Sequence, residues 1–175
     1  KLSAAWANAD LTGNGQTWDV AIRYAKNWGE FRVGAGAAWR QGVVVPLFGA
    51  TEDVKVWAGS ATIMHIPTGV FATGAYGNFQ GDGALSFLPD LKGWQGQAGV
   101  EEKWLPVGRT TVYGTFGQLD VQGYSGTPRV MGLGVVQAWD SAALDTYATW
   151  TRYDLDSSGS EDTLDAFLVG ARIRF

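Results

Sequence analysis

The sequence contains no cysteine, one histidine and no run that approaches about 18 consecutive apolar residues. The missing apolar run excludes helical membrane spans, but not strands that alternate between lipid and lumen, because their hydropathy averages out. The missing cysteine fits an oxidising compartment in which no disulfide is needed, although cytosolic proteins also lack cysteine. Positive charge is scarce too: the net charge of -4 argues against nucleic acid as a partner. No signal peptide precedes Lys1, so we expect a mature form or a fragment.

Alternation of apolar and polar residues is the dominant pattern in the chain. In residues 17–26, Trp18, Val20 and Ile22 share one face while Arg23 lies on the other. A helix would scatter these two sets, so the pattern predicts a strand. Residues 31–40 alternate in the same way. For residues 70–79 and 110–118 the faces stay unassigned.

About ten such segments of roughly ten residues each follow one another, which is the length that a tilted strand needs to cross a bilayer. The breaks between them alternate in length. Short turns fall near residues 27, 66, 106 and 140, and longer polar loops near 11, 41, 80, 119 and 156. This alternation is typical of a barrel with one rim of turns and one rim of loops. The sequence therefore predicts an all-β, transmembrane antiparallel meander β-barrel with both chain ends at the periplasmic rim.

Tryptophan is unusually abundant, with nine residues. Six of them lie near predicted strand ends: Trp18, Trp39, Trp57, Trp94, Trp104 and Trp139. This placement predicts an interfacial aromatic belt at the membrane surface. The alternative is a set of core aromatics in a soluble barrel.

The last segment, Asp165 to Phe175, has one apolar face and one face with two arginines. The apolar face consists of Phe167, Val169, Ala171, Ile173 and Phe175. The segment resembles the carboxy-terminal strand of Gram-negative outer-membrane barrels, and the resemblance implies that these five residues form the signal read by the barrel-assembly machinery. An ordinary half-buried strand that ends on Phe is the alternative.

Longer stretches resemble the carboxy-terminal part of proteobacterial outer-membrane porins. They read HIPTGVFATGAYG from His65, GVEEKWLPVGRTTVYG from Gly99, GLGVVQAWDSAAL from Gly132, and GARIRF at the end. The resemblance implies a bacterial outer-membrane location, contact with outer-membrane lipid, transport of ions and small hydrophilic solutes, and a homotrimer. Such porins are 16-stranded, so residues 1–175 form either a smaller single barrel domain or the carboxy-terminal portion of a larger one.

The sequence offers no catalytic pattern, and we predict that the chain is not an enzyme and needs no cofactor or metal. His65 adjoins the Pro67 turn, where an interfacial or turn role is favoured over catalysis. An acidic group near the last loop has no calcium-loop spacing, and a solvated acidic rim explains it better. Its members are Asp154, Asp156, Glu161, Asp162 and Asp165.

Six arginines fall in predicted strands: Arg23, Arg32, Arg40, Arg152, Arg172 and Arg174. Charge facing lipid near the midplane costs about 2–4 kcal/mol, so we expect them to line a pore or lie at its rims, with the first three close together. Two functions remain open. One is a porin, a water-filled channel for passive diffusion; the other is a small closed barrel with a structural, anchoring or assembly role. Glycine and alanine at inward positions favour the channel, because a closed barrel fills its interior with side chains.

Overall fold

The computed structural model describes residues 2–8, 16–44, 52–82, 89–157 and 160–173. In these residues it contains ten β-strands and one short 3-10 turn, Asp140–Ala142. The strands are β1 (Leu2–Asn8), β2 (Gln16–Trp28), β3 (Phe31–Val44), β4 (Glu52–His65), β5 (Val70–Asp82), β6 (Leu91–Leu105), β7 (Gly108–Val121), β8 (Arg129–Trp139), β9 (Leu144–Ser157) and β10 (Ser160–Ile173). No helix among the described residues has the length and apolar character to span a membrane.

The ten strands form one antiparallel sheet in sequence order, so each strand pairs with the strands before and after it. Within the described residues, β1 and β10 each pair with a single neighbour. The predicted all-β antiparallel meander is therefore confirmed.

The register gives the sheet two chemically different faces, because residues that pair directly project to the same side. One row of pairs runs Val70, Val100, Val112, Val135 and Ala148. We call this apolar side the outward face and the opposite side the inward face. The register thereby also assigns the two strands whose faces the sequence leaves open, β5 and β7.

The two edges of the sheet differ in their connections. At one edge, the short-turn rim, residues 29–30, 66–69, 106–107 and 140–143 connect successive strands. At the opposite edge, the long-loop rim, the connection that the structure describes throughout is residues 122–128, between β7 and β8. Glycine suits the tight turns, since Gly29 and Gly69 have φ of 57° and 64°, where a Cβ is unfavourable. β1 starts and β10 ends at the short-turn rim, as the sequence predicts for the two ends of the chain.

The strands extend further than the sequence predicts at the long-loop rim. The predicted loop at 156–162 is mostly strand, because Ser157 pairs with Ser160 and Asp156 with Glu161. A run of polar residues predicts a loop from sequence. A strand that extends beyond the membrane can nevertheless contain them, because its side chains there contact water. About nine to eleven residues cross the bilayer, and the remainder extends the wall.

Aromatic side chains form bands on the outward face. Near the long-loop rim, ring centroids lie 3.9 Å apart for Trp18 and Trp39 and 5.0 Å apart for Trp57 and Tyr76. Near the short-turn rim, Trp28, Trp104 and Trp139 are exposed. Exposed rings at two levels with aliphatic residues between them match the surface that a barrel presents to lipid.

Candidate functional site

The middle of the inward face carries polar side chains. Thr62 and Thr73, from β4 and β5, hydrogen bond through their hydroxyls at 2.7 Å. Gln95 of β6 donates from Nε2 to the hydroxyl of Thr115 on β7 at 2.8 Å. Paired hydroxyl and amide groups across four strands suit contact with water, whereas the valine row on the other side suits contact with lipid.

A cavity of about 710 Å³ lies against the inward face. Its lining comes from strands as far apart as β2 and β9, so the sheet curves around it. Small residues form one side, including Gly36, Ala58 and Gly77, and Leu119 and Tyr153 contribute to the other. Small side chains keep the wall thin there and leave the space open.

The register places three of the predicted arginines on the inward face but at different heights. Arg23 pairs with Gly36 and lines the cavity. Arg32 pairs with Asn27 near the short-turn rim, and Arg40 with Asp19 near the long-loop rim. At about 3.3 Å rise per residue, Arg32 and Arg40 are roughly 26 Å apart along β3. The expectation that the three lie close together is therefore wrong, and like-charge repulsion between them is small.

Arg172 also projects inward, at the short-turn end of β10. Its Nη2 lies 2.8 Å from Oδ2 of Asp145, which pairs with it on β9 and is only 5% exposed. A carboxylate this buried requires a cationic partner, so the pair is a fixed part of the wall. Arg174 lies outside the described residues.

Arg152 is a correction to the sequence prediction, because it projects outward. It pairs with Met131 on one side and Asp165 on the other, in the row next to Trp150 and Phe167. Arg152 donates from Nε to Oδ1 of Asp165 at 2.9 Å and from Nη2 to Oδ2 at 2.8 Å. Trp150 donates from Nε1 to the same Oδ1 at 3.0 Å, and its ring centroid is 5.5 Å from the guanidinium carbon. The Asp165 carboxylate and the Trp150 ring thus stabilise the Arg152 cation on the outward face, away from any pore.

Sequence reasoning missed a repeated contact on the inward face, in which an aromatic side chain on one strand covers a paired glycine on the next. Tyr113 covers Gly134, and Tyr147 covers Gly170. A Cβ at either glycine would overlap the tyrosine ring. The signal was present as Gly at strand positions, but only the register shows which aromatic residue each glycine accommodates.

The predicted roles of His65 and of the acidic residues can be placed in the structure. His65 lies at the short-turn rim, where Nδ1 is 2.8 Å from the Thr68 hydroxyl and Nε2 is 3.6 Å from Glu30. Within the described residues, no group of three or more His, Cys, Asp or Glu side chains is arranged to hold a metal ion.

The apolar face of the last strand is strongly exposed on the outward side. Phe167 and Val169 are 78% and 79% exposed, and Ile173 shares their face. The fifth member of the predicted assembly signal, Phe175, lies outside the described residues. Its recognition by the assembly machinery stays a prediction.

No protein-family model matches the chain, and no curated protein matches it by sequence. By structure it is similar to OmpT, an outer membrane protein of Vibrio cholerae. The OmpT loop L8 deletion mutant matches with a TM-score of 0.62 and 14% identity over 97% of this chain and 57% of that chain. Outer-membrane expressed OmpT matches at 0.59 and 11% identity, covering 97% and 63%. In-vitro folded OmpT matches at 0.58 and 13% identity, covering 97% and 62%.

These neighbours share the fold of this chain, which spans 57–63% of their length. They confirm an outer-membrane β-barrel, with lipid against its outward face, and at the level of fold they confirm the predicted bacterial outer-membrane location. The prediction that the chain is not an enzyme is wrong. The chain is similar in structure to OmpT, and one fold hosts proteins with unrelated activities. A missing catalytic pattern in the sequence does not decide that question.

Proposed function

We propose that the chain forms part of the wall of a porin-type channel, through which small hydrophilic solutes and ions diffuse passively. The observation that carries the proposal is the open cavity of about 710 Å³ against the inward face, on a sheet whose outward face is apolar. A closed barrel with an anchoring role would fill this space with side chains. Here glycine and alanine line much of it.

The ten strands are proposed to be the carboxy-terminal portion of a larger porin barrel. In the described residues β1 and β10 each have one open edge, and unpaired backbone groups are costly in hydrocarbon. Additional strands between these two edges would satisfy those groups. The greater length of the similar structures supports this arrangement. Assembly into a homotrimer is part of the same proposal.

Conductance across a planar bilayer tests the channel. We expect stepwise openings for the folded parent protein, and a shifted reversal potential in a salt gradient for Arg23→Ala combined with Arg32→Ala, because both cations project inward. Lys26→Ala is the matched control, since Lys26 pairs with Val33 on the outward face. Absence of openings from the closed barrel, including the additional strands proposed above, would refute the channel. Openings with an unchanged reversal potential would show that the two arginines lie outside the conducting path.

A further inference from the structure

A second cavity, of about 400 Å³, lies on the outward face near the long-loop rim. Tyr76, Gly93, Trp94 and Gln118 also line the larger cavity, but the side chains of Tyr76, Trp94 and Gln118 project from the outward face. These side chains combine two aromatic rings with a hydrogen-bonding group. The lining of the second cavity includes Tyr76, Lys92, Trp94, Gln118, Asp120 and Thr127.

The register places the lining at a defined height. Tyr76, Trp94 and Gln118 form one row of directly paired residues at the level of the aromatic band. Lys92 and Asp120 form the next row toward the loops. Aromatic bands mark the boundary between hydrocarbon and headgroups, and long loops lie on the extracellular side of such barrels. The cavity therefore opens at the headgroups of the outer leaflet.

The side chains suit a sugar that carries a phosphate. Lys92 is exposed and lines the cavity, so its ammonium brings positive charge to it. The Trp94 ring contacts Phe116, with centroids 5.5 Å apart, which holds it in place as an apolar platform. Gln118, Asp120 and Thr127 supply groups that hydrogen bond to hydroxyls.

We propose that this cavity binds the headgroup of a phosphorylated glycolipid of the outer leaflet, with the phosphate on Lys92 and a sugar ring against Trp94 and Tyr76. The site lies outside the lumen and does not depend on the channel function. Its occupant is a membrane lipid because the cavity opens sideways at headgroup level, where a sugar phosphate is presented by its own acyl chains.

Native mass spectrometry of the folded protein in neutral detergent tests the site, with a monophosphorylated diglucosamine lipid as the probe. We expect Lys92→Gln to weaken binding about tenfold, as loss of one charge-assisted contact does. Trp94→Leu is expected to weaken it as well. Lys26→Gln is the control and is expected to bind like the parent, because Lys26 is an exposed outward lysine at the other rim.

Two competitors separate the sources of a phosphate. Phosphatidylglycerol is anionic but lacks the amino sugar, and glucose 1-phosphate lacks the acyl chains; we expect both to displace the probe poorly. Equal displacement by phosphatidylglycerol would overturn sugar recognition, and equal displacement by glucose 1-phosphate would overturn the lipid as occupant. Unchanged probe binding by Lys92→Gln, with folding checked by its electrophoretic mobility before and after heating, would overturn the site itself.

Discussion

Arg152 and Asp165 show how one cross-strand pair carries charge on a face built for lipid. The guanidinium and carboxylate form two parallel hydrogen bonds, and Trp150 donates a third to the carboxylate. Such bidentate contacts are stronger and more specific than a single ionic contact. Arg152 pairs with Met131, and Met131 pairs with Phe116. This row lies near the aromatic band at the long-loop rim, where lipid headgroups hydrate charged side chains.

Removing one member of this pair is expected to do more harm than removing both. Arg152→Met leaves the Asp165 carboxylate without its cation on the outward face, so we expect a lower thermal unfolding midpoint in detergent. Arg152→Met combined with Asp165→Leu is expected to recover much of the loss, because no charge remains. Circular dichroism melts of the parent, both single variants and the double variant measure the coupling. Additive effects would show that the two side chains act independently.

At the scale of the strand, the aromatic residues that cover glycines join neighbouring strands on the inward face. The ring of Tyr113 occupies the space that a side chain at position 134 would take. Laid along the wall in this way, the ring covers backbone and leaves the lumen open. The same pairing of Tyr147 with Gly170 recurs between β9 and β10.

Gly134→Ala therefore has two expected effects. The added methyl group displaces the Tyr113 ring, which we expect to cost about 1–3 kcal/mol of unfolding free energy in detergent. The displaced ring projects inward and is expected to lower single-channel conductance. Gly74→Ala is the control, since a Cβ there meets no heavy atom within 4 Å. Equal stability of Gly134→Ala and Gly74→Ala would contradict the packing argument.

The last strand carries a prediction about assembly. Deletion of Phe175 is expected to reduce folded protein in the outer membrane while refolding in detergent stays near the parent level, because the resemblance makes this residue part of a recognition signal. Phe116→Ala, an outward aromatic substitution on β7, serves as the comparison. Immunoblots of outer-membrane fractions and refolding yields are the two measurements. Equal losses in both would identify Phe175 as a packing residue.

Alternation within a strand predicts the elements well and their mutual placement poorly. β2 is readable because Trp18, Val20 and Ile22 contrast with Asp19 and Arg23. In β5, small and aromatic residues occur on both faces, so only pairing with β4 and β6 assigns them. The outward position of Arg152 is likewise invisible in β9 alone, where Tyr147 and Tyr153 make the opposite face look equally apolar. The cavity that Lys92 and Thr127 share depends on residues far apart in sequence.

For the whole molecule, the two rims predict an orientation in the membrane. Because the chain has no cysteine, single introduced thiols report on one place each. Ser125→Cys at the long-loop rim is expected to react with an impermeant maleimide on intact cells. Val107→Cys, in the turn between β6 and β7, is expected to react only after the outer membrane is opened. Labelling of Val107→Cys alone on intact cells would reverse the orientation.

The sequence-order pairing of all ten strands also bears on how such walls evolve. Each hairpin bonds only to the hairpins before and after it, so a duplicated hairpin inserts into the wall without crossing any existing connection. Barrel diameter grows roughly linearly with strand number. Copying or losing one two-strand module is thus a single genetic event that changes the circumference by one step and leaves every other register intact. Descendants of one ancestral hairpin can in this way differ in bore while keeping the same pattern of inward and outward residues.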